Sequence, residues 1–395
     1  MPLELDSTAL GSALRFERAS ERIASGTTRG SRLSWPFRLT AIVLPVLAAM
    51  FWTGASGSLS PPHNRAIAPP RPIRQVEAVT FSPDGRTLAA CGLDREVRLW
   101  DRSRWNEGQL GGPEVLPHSS VVHAIAFSAD CASLATASDR TLTIWSRNPS
   151  YQRLVERSGE TYHGLAFSPD GRTLALGAED GSIRLWEMPE ARERAVLRGH
   201  SGTVTSVTFS PDGKRLVSGS REGRLLLWDA ITGAERRVLM TEGSAPIRVA
   251  AFSPDGRTIG IAEPSSEAMA VVLFDAETGE LRTHLFGHAL GINSLAFSPD
   301  GQILATGGVD GAMKLWYLKH AKEPTFLREG FSLNSLAFSP DGRWLAYAGA
   351  DECVQLMDIT TFRPGPSGSA EGDDLDPAGG RKNPHLLLAA PVDPV

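Results

Sequence analysis

The chain has little cysteine, no surplus of positive charge and no recognisable catalytic motif. Its three cysteines in 395 residues, Cys91, Cys131 and Cys353, show no CxxC spacing and form no even set. That excludes a disulfide framework and a thiolate metal centre, and leaves them to serve as small buried hydrophobes. Lys and Arg number 40 against 45 Asp and Glu, a formal charge of −5. A protein that tracks phosphates needs a basic face, so no nucleic-acid partner is expected. There is no GxSxG, no Walker A and no HExxH, and the nine histidines are scattered singly. The expected lists of catalytic residues, cofactors and metal ligands are therefore empty.

Glycine and proline are plentiful, 39 and 27, and one recurring phrase accounts for many of them. Phe-Ser-Pro-Asp-Gly begins at Phe81, Phe167, Phe209, Phe252, Phe297 and Phe338, and a worn copy, Phe-Ser-Ala-Asp-Cys, begins at Phe127. The steps between these phenylalanines are 46, 40, 42, 43, 45 and 41 residues. Proline suits the second corner of a type I turn, aspartate follows in the bridge region, and glycine supplies the left-handed residue. Alternating apolar residues enter each phrase and a second apolar run leaves it. Each phrase thus joins two antiparallel strands. Cys131 replaces the glycine of the worn copy, and strain is expected there unless the turn changes type.

A third strand follows each hairpin and ends on an aromatic or its substitute: Trp100, Trp145, Trp186, Trp228, Phe274, Trp316 and Met357. Six residues before that position stand Asp94, Asp139, Asp180, Glu222, Ala268, Asp310 and Asp351. Nine residues before the phrase, three copies carry His118, His200 and His288. With seven in-phase copies, the pattern resembles the WD40 repeat family over roughly residues 66–361. The resemblance implies an all-β, seven-bladed propeller over residues 74–361, four strands to a blade, in which stacking buries what one blade leaves open. Fourth strands are expected at 151–157, 194–198, 236–240, 281–286 and 324–328. Small residues on the second strands, Ala89, Ala90, Ala135, Ala175, Ala305 and Ala346, suit a wedge narrowing inward. The last blade needs an outer strand from elsewhere. Residues 65–67 are preferred, although Pro69, Pro70 and Pro72 remove ladder donors nearby; residues 385–390 are the rival.

The resemblance also gives the histidines a structural duty. An acid orients the imidazole, the imidazole bonds a hydroxyl, and the hydroxyl takes the indole N–H. The sets are His118, Thr136, Asp139 and Trp145; His200, Ser218, Glu222 and Trp228; and His288, Thr306, Asp310 and Trp316. A hydrolase built from such a set would not need building three times, and buried polar groups must in any case be paired.

Ahead of the repeats, residues 1–38 are polar and read as a cytoplasmic segment. Residues 39–62 hold no charge, and 39–59 are long enough for a single transmembrane helix or signal anchor. Trp35 and Trp52 bracket its apolar heart, and Arg29, Arg32 and Arg38 precede it, which places the N-terminus inside and the propeller outside. The rival is a leader clipped near Thr53-Gly54-Ala55, giving a secreted protein. Residues 60–73 read as a Pro/Gly/Ser linker and 362–395 as a disordered tail.

What the resemblance implies for function is a non-catalytic scaffold, its propeller monomeric, binding a protein or peptide through loops at one mouth of the ring. Candidate contact residues are Glu263, Glu267 and Met269 in the lengthened loop of the fifth repeat, with Tyr162, Phe331 and Leu333. The alternative is a propeller enzyme or small-ligand receptor using the central channel.

Overall fold

The computed structural model describes residues 66–67, 75–105, 112–147, 150–240, 245–264, 269–319, 325–351, 353–362 and 385–386. The readings made of residues 1–38, 39–59 and 60–65, of the linker residues 68–74 and of most of the tail lie outside them. Among the described residues no helix is long and apolar enough to cross a membrane.

Seven antiparallel sheets make up the fold, six of four strands and one of five. Blade 1 runs Val76–Phe81, Thr87–Gly92, Glu96–Asp101 and Glu114–Pro117. Blade 6, separated from blade 1 by blade 7 alone in the closed ring, runs Ile292–Phe297, Ile303–Gly308, Ala312–Tyr317 and Thr325–Arg328. The outer strand of blade 1 had no place in the sequence reading, because Gly112 and Pro113 precede it and Pro117 ends it; an edge strand tolerates that proline. Blade 5 departs from its neighbours. Its innermost strand is only Ala250–Phe252, preceded by Pro246, which lacks a ladder donor. Its next two strands are long, Thr258–Pro264 and Met269–Asp275, and stay paired as far as Pro264 with Met269. Part of the expected long loop is therefore strand.

The repeated phrase builds the same turn each time. In blade 1, Ser82 Oγ donates to Asp84 Oδ1 at 2.5 Å, the Asp84 carboxylate accepts the Arg86 N–H at 3.0 Å, and Ser82 Oγ accepts the Thr87 N–H at 2.9 Å. Gly85 supplies φ +68°. Cys131 keeps the turn unchanged at φ +60°, its N–H on the Ser128 carbonyl at 2.9 Å. The left-handed strain expected of it is therefore retained.

The ring closes on blades 7 and 1. Val79 N–H donates to Ser335 Oγ at 3.0 Å, Asn334 Nδ2 donates to the Val76 carbonyl at 2.9 Å, and Arg102 pairs with Asp341 at 2.7 Å. Val76, Leu88 and Trp100 share one apolar cluster with Ala346, Val354 and Leu356. The wedge alanines Ala89, Ala135, Ala175, Ala305 and Ala346 are fully buried. Both candidates for the closing strand are used. Ala66 and Ile67 pair with Gln355 and Val354, while His385 and Leu386 pair with Met357 and Leu356. The two pieces share one edge of the strand Val354–Asp358.

Candidate functional site

Blade 6 holds a complete four-residue network. Trp316 Nε1 donates to Thr306 Oγ1 at 3.0 Å, His288 Nε2 lies 2.8 Å from the same oxygen, and His288 Nδ1 lies 3.1 Å from both oxygens of Asp310. Asp310 also accepts the N–H groups of Ala289 and Ala312. Burial pushes the His288 pKa down against the pull of Asp310. Burial pushes the Asp310 carboxyl up, yet the Ala289 N–H and His288 together hold it below its usual value. Every polar atom here is engaged with another member of the set, which is what a structural clamp requires.

The other two sets are incomplete. In blade 2, His118 Nε2 meets Thr136 Oγ1 at 2.8 Å and Trp145 Nε1 donates to it at 3.1 Å. Asp139 does not join them. It lies 2.7 Å from His123 Nε2, and His118 Nδ1 faces the Leu116 carbonyl at 3.0 Å instead. In blade 4, Ser218 Oγ joins His200 Nε2 at 2.6 Å and Trp228 Nε1 at 2.7 Å. Glu222 lies across Gly202, where it would collide with any side chain, and its Oε2 is buried without a hydrogen-bond partner.

Blades lacking the histidine use other chemistry that spacing alone did not reveal. In blade 7, Tyr347 Oη donates to Gln355 Oε1 at 2.7 Å and Gln355 Nε2 donates to Asp351 Oδ2 at 2.6 Å. Glu329, in the histidine place, bonds the same tyrosine, and burial raises the pKa of both acids. In blade 1, buried Arg98 pairs with Asp94 at 2.8 Å and Glu96 at 2.9 Å. In blade 3, Arg184 bonds Glu160 and, at 2.9 Å, Glu193. Blade 5 puts Ile261 and Phe274, both buried, where the hydroxyl and indole stand, so nothing polar needs pairing.

The innermost strands differ around the mouth reached by the loops that enter each blade. Four residues before the phrase, Asn293 Nδ2 donates to the Leu333 carbonyl at 3.0 Å, Asn334 Nδ2 donates to that of Val76 at 2.9 Å, and Thr205 Oγ1 donates to that of Ile247. One residue later, Ser206, Ser294 and Ser335 each accept at 3.0 Å a backbone N–H of the next blade, from Ala250, Leu336 and Val79. Blades 4, 6 and 7 are thus fastened to their successors twice. Blades 1, 2 and 3 carry Glu77, His123 and His163 at the first position and Ala78, Ala124 and Gly164 at the second. Among the described residues, Glu77, His123 and His163 form no hydrogen bond to the following blade. The rings of His123 and His163 lie 6.2 Å apart. Burial raises the Glu77 carboxyl against the attraction of His123. Burial, then the charges of His123 and Arg221, lower His163.

Among the described residues, Tyr162, Phe331 and Leu333 of the expected contact set do not form an exposed surface. Tyr162 is 5% exposed, and its hydroxyl donates to Glu160 at 3.2 Å. Leu333 is fully buried in the core shared by blades 6 and 7, and Phe331 packs against that core. Tyr162 and Leu333 fill seams because each is the first residue of an innermost strand and points between blades. Glu267 and the side chains of Glu263 and Met269 lie outside the described residues. Cys91 is buried, and all three described cysteines are free thiols.

A family model described as "WD domain, G-beta repeat" matches residues 73–101, 114–146, 158–187, 191–229, 279–317 and 324–358. It passes over most of blade 5. The chain is 34% identical over 259 residues to Eukaryotic translation initiation factor 3 subunit I of Culex quinquefasciatus, covering 58% of this chain and 76% of that one. It is 26% identical to the Periodic tryptophan protein 2 homolog of Dictyostelium discoideum, over 63% of this chain but 27% of that protein. It is also 26% identical to the Serine-threonine kinase receptor-associated protein of Gallus gallus, over 61% of this chain and 66% of that one. The chain thus spans about a quarter of the Dictyostelium protein's length.

Proposed function

The chain belongs to the WD40 repeat family, and on that premise we propose that it is a non-catalytic scaffold binding a protein or peptide at one mouth of its propeller. Relatives named as an initiation-factor subunit and a receptor-associated protein support an assembly role. The observation that carries the choice of surface is the replacement of seam-fastening residues by Glu77, His123 and His163 on three consecutive blades. A fold gives no function by itself, but polar groups at a rim that do not fasten a seam can serve a partner. An enzyme or small-ligand receptor in the channel would draw on the same three groups. It is the weaker reading, because the only thiol near Glu77, that of Cys91, is fully buried and held protonated by burial.

The test places a photo-crosslinking residue at position 163 and, in a second protein, at exposed Ile231 on the opposite mouth. Site 163 should capture a partner that site 231 does not. Equal capture, or none at 163, contradicts the reading.

We further propose that residues 39–59 tether the ring to a membrane, with the N-terminus cytoplasmic, or are clipped to release it. The uncharged stretch and its flanking Arg29, Arg32 and Arg38 support this. Deleting residues 1–59 should move the protein to the soluble fraction; continued membrane association would refute the tether.

A further inference from the structure

A cleft of about 530 Å³ lies on the flank of blade 3, lined by Ser158, Glu160, Arg184, Trp186 and Glu190. Two donors on its lining are buried and unpartnered, Trp186 Nε1 and Arg184 Nε. Trp186 is 6% exposed, and its N–H finds no acceptor among the described residues. The cause is in the sequence. Leu176 stands where Thr136, Ser218 and Thr306 accept the indole N–H, and Ser158 stands where His118, His200 and His288 cover the indole.

The filled copies show what this place holds. In blades 2 and 4 an imidazole leans on the tryptophan, ring centroids 5.4 and 6.4 Å apart. Its Nε2 bonds inward, and in blade 6 its Nδ1 faces a carboxylate. Blade 3 keeps the aromatic wall, an inward polar partner, now the indole N–H itself, and rim carboxylates at Glu160 and Asp180. Both terminal nitrogens of Arg184 are already held by Glu160 and Glu193, with Asp180 3.8 Å away. A further carboxylate would face three acids at one guanidinium. A neutral ring that accepts on one edge and donates on the other meets every requirement. We propose that this cleft is a vacated histidine site, and that it takes the neutral imidazole of a histidine presented by a partner polypeptide. The site stands apart from the mouth, and its failure would leave the mouth reading untouched.

The test uses the full chain with ¹⁵N-labelled indoles and blocked tripeptides of Gly-His-Gly, Gly-Gln-Gly, Gly-Asp-Gly and Gly-Ala-Gly as probes. Trp186→Phe assigns the Trp186 resonance. The histidine peptide should shift that resonance saturably, binding at least about tenfold more tightly than the others. The double variant Ser158→His/Leu176→Thr refills the place. It should melt at a higher temperature and lose the response; if it does not fold, Ser158→His alone carries the same test. No saturable shift, equal binding of all four peptides, or an undiminished response in the refilled protein would overturn the assignment.

Discussion

Blade 6 and blade 3 (Tyr162–Phe167, Thr173–Ala178, Ser182–Glu187 and Arg192–Arg198) share the lengths of their three inner strands, the turn of the repeated phrase and a closing tryptophan, yet one is polar-complete and the other is not. In blade 6 one hydroxyl, Thr306, serves both His288 and Trp316. In blade 3 a leucine at the equivalent place leaves the Trp186 N–H alone. The ring tolerates this because packing supplies most of a blade's stability, with a buried hydrogen bond adding about 1 kcal/mol. The seams teach the same lesson. Blades 4, 6 and 7 are fastened by hydroxyl and amide side chains, while the seam from blade 3 to blade 4 closes by backbone approach. There a Cβ on Gly164 would stand 3.0 Å from the Val207 nitrogen.

The sharpest way to break the comparison is to turn blade 6 into blade 3. Thr306→Val strands two buried groups, His288 Nε2 and Trp316 Nε1, and should cost about 2–4 kcal/mol by urea denaturation. The reverse change, Leu176→Thr, trades the packing of a fully buried leucine for a partner to the Trp186 N–H, so it should cost less, about 1 kcal/mol. Equal losses would remove the network from the account. Next, Asp310→Ala should cost about 2 kcal/mol through the orphaned His288 and Ala289 N–H, whereas Asp139→Ala, whose acid is 54% exposed on its side chain, should cost under about 0.5 kcal/mol. Matching values would restore Asp139 to the set of His118. Cys131→Gly should stabilise by about 1 kcal/mol, since glycine takes φ +60° without strain; a loss would mean the thiol packs better than the geometry indicates.

A gentler trend follows from protonation. Burial depresses His118, His163 and His288. Just below the ordinary histidine value of about 6.5 the unfolded chain therefore binds more protons than the folded one. Stability should fall as pH drops through 6.5 toward the depressed folded values, before the turn aspartates titrate. The variant His288→Asn should flatten part of that slope, and a melting temperature unchanged from pH 7 to 5 would contradict it.

The turns, the three inner strands and the closed ring were legible in the sequence, because each repeats a local signal seven times. The acid partner of His118 was not. Spacing places Asp139 near both His118 and His123, and only coordinates decide which it bonds. The Glu160–Arg184–Glu193 network joins long side chains from three stretches, so it depends on the register of an outer strand that sequence places only loosely. The seam fasteners did leave a trace, Ser three residues before the phrase in Ser206, Ser294 and Ser335, which a column-by-column comparison of the repeats would expose. Trp105, just past the third strand of blade 1, packs on that blade's core, 6.4 Å from Phe81, and its replacement should not be silent.

Amide hydrogen exchange at the innermost strands tests the division of the ring most directly. The Val79, Ala250 and Leu336 N–H groups, held by serine hydroxyls of the preceding blades, should exchange only on global unfolding. Their counterparts Ile125 and Leu165, which follow Ala78 and Ala124, should exchange faster. Equal protection at all five would mean that the arc carrying Glu77, His123 and His163 is as tightly fastened as the rest, and would remove the physical reason for placing a partner there.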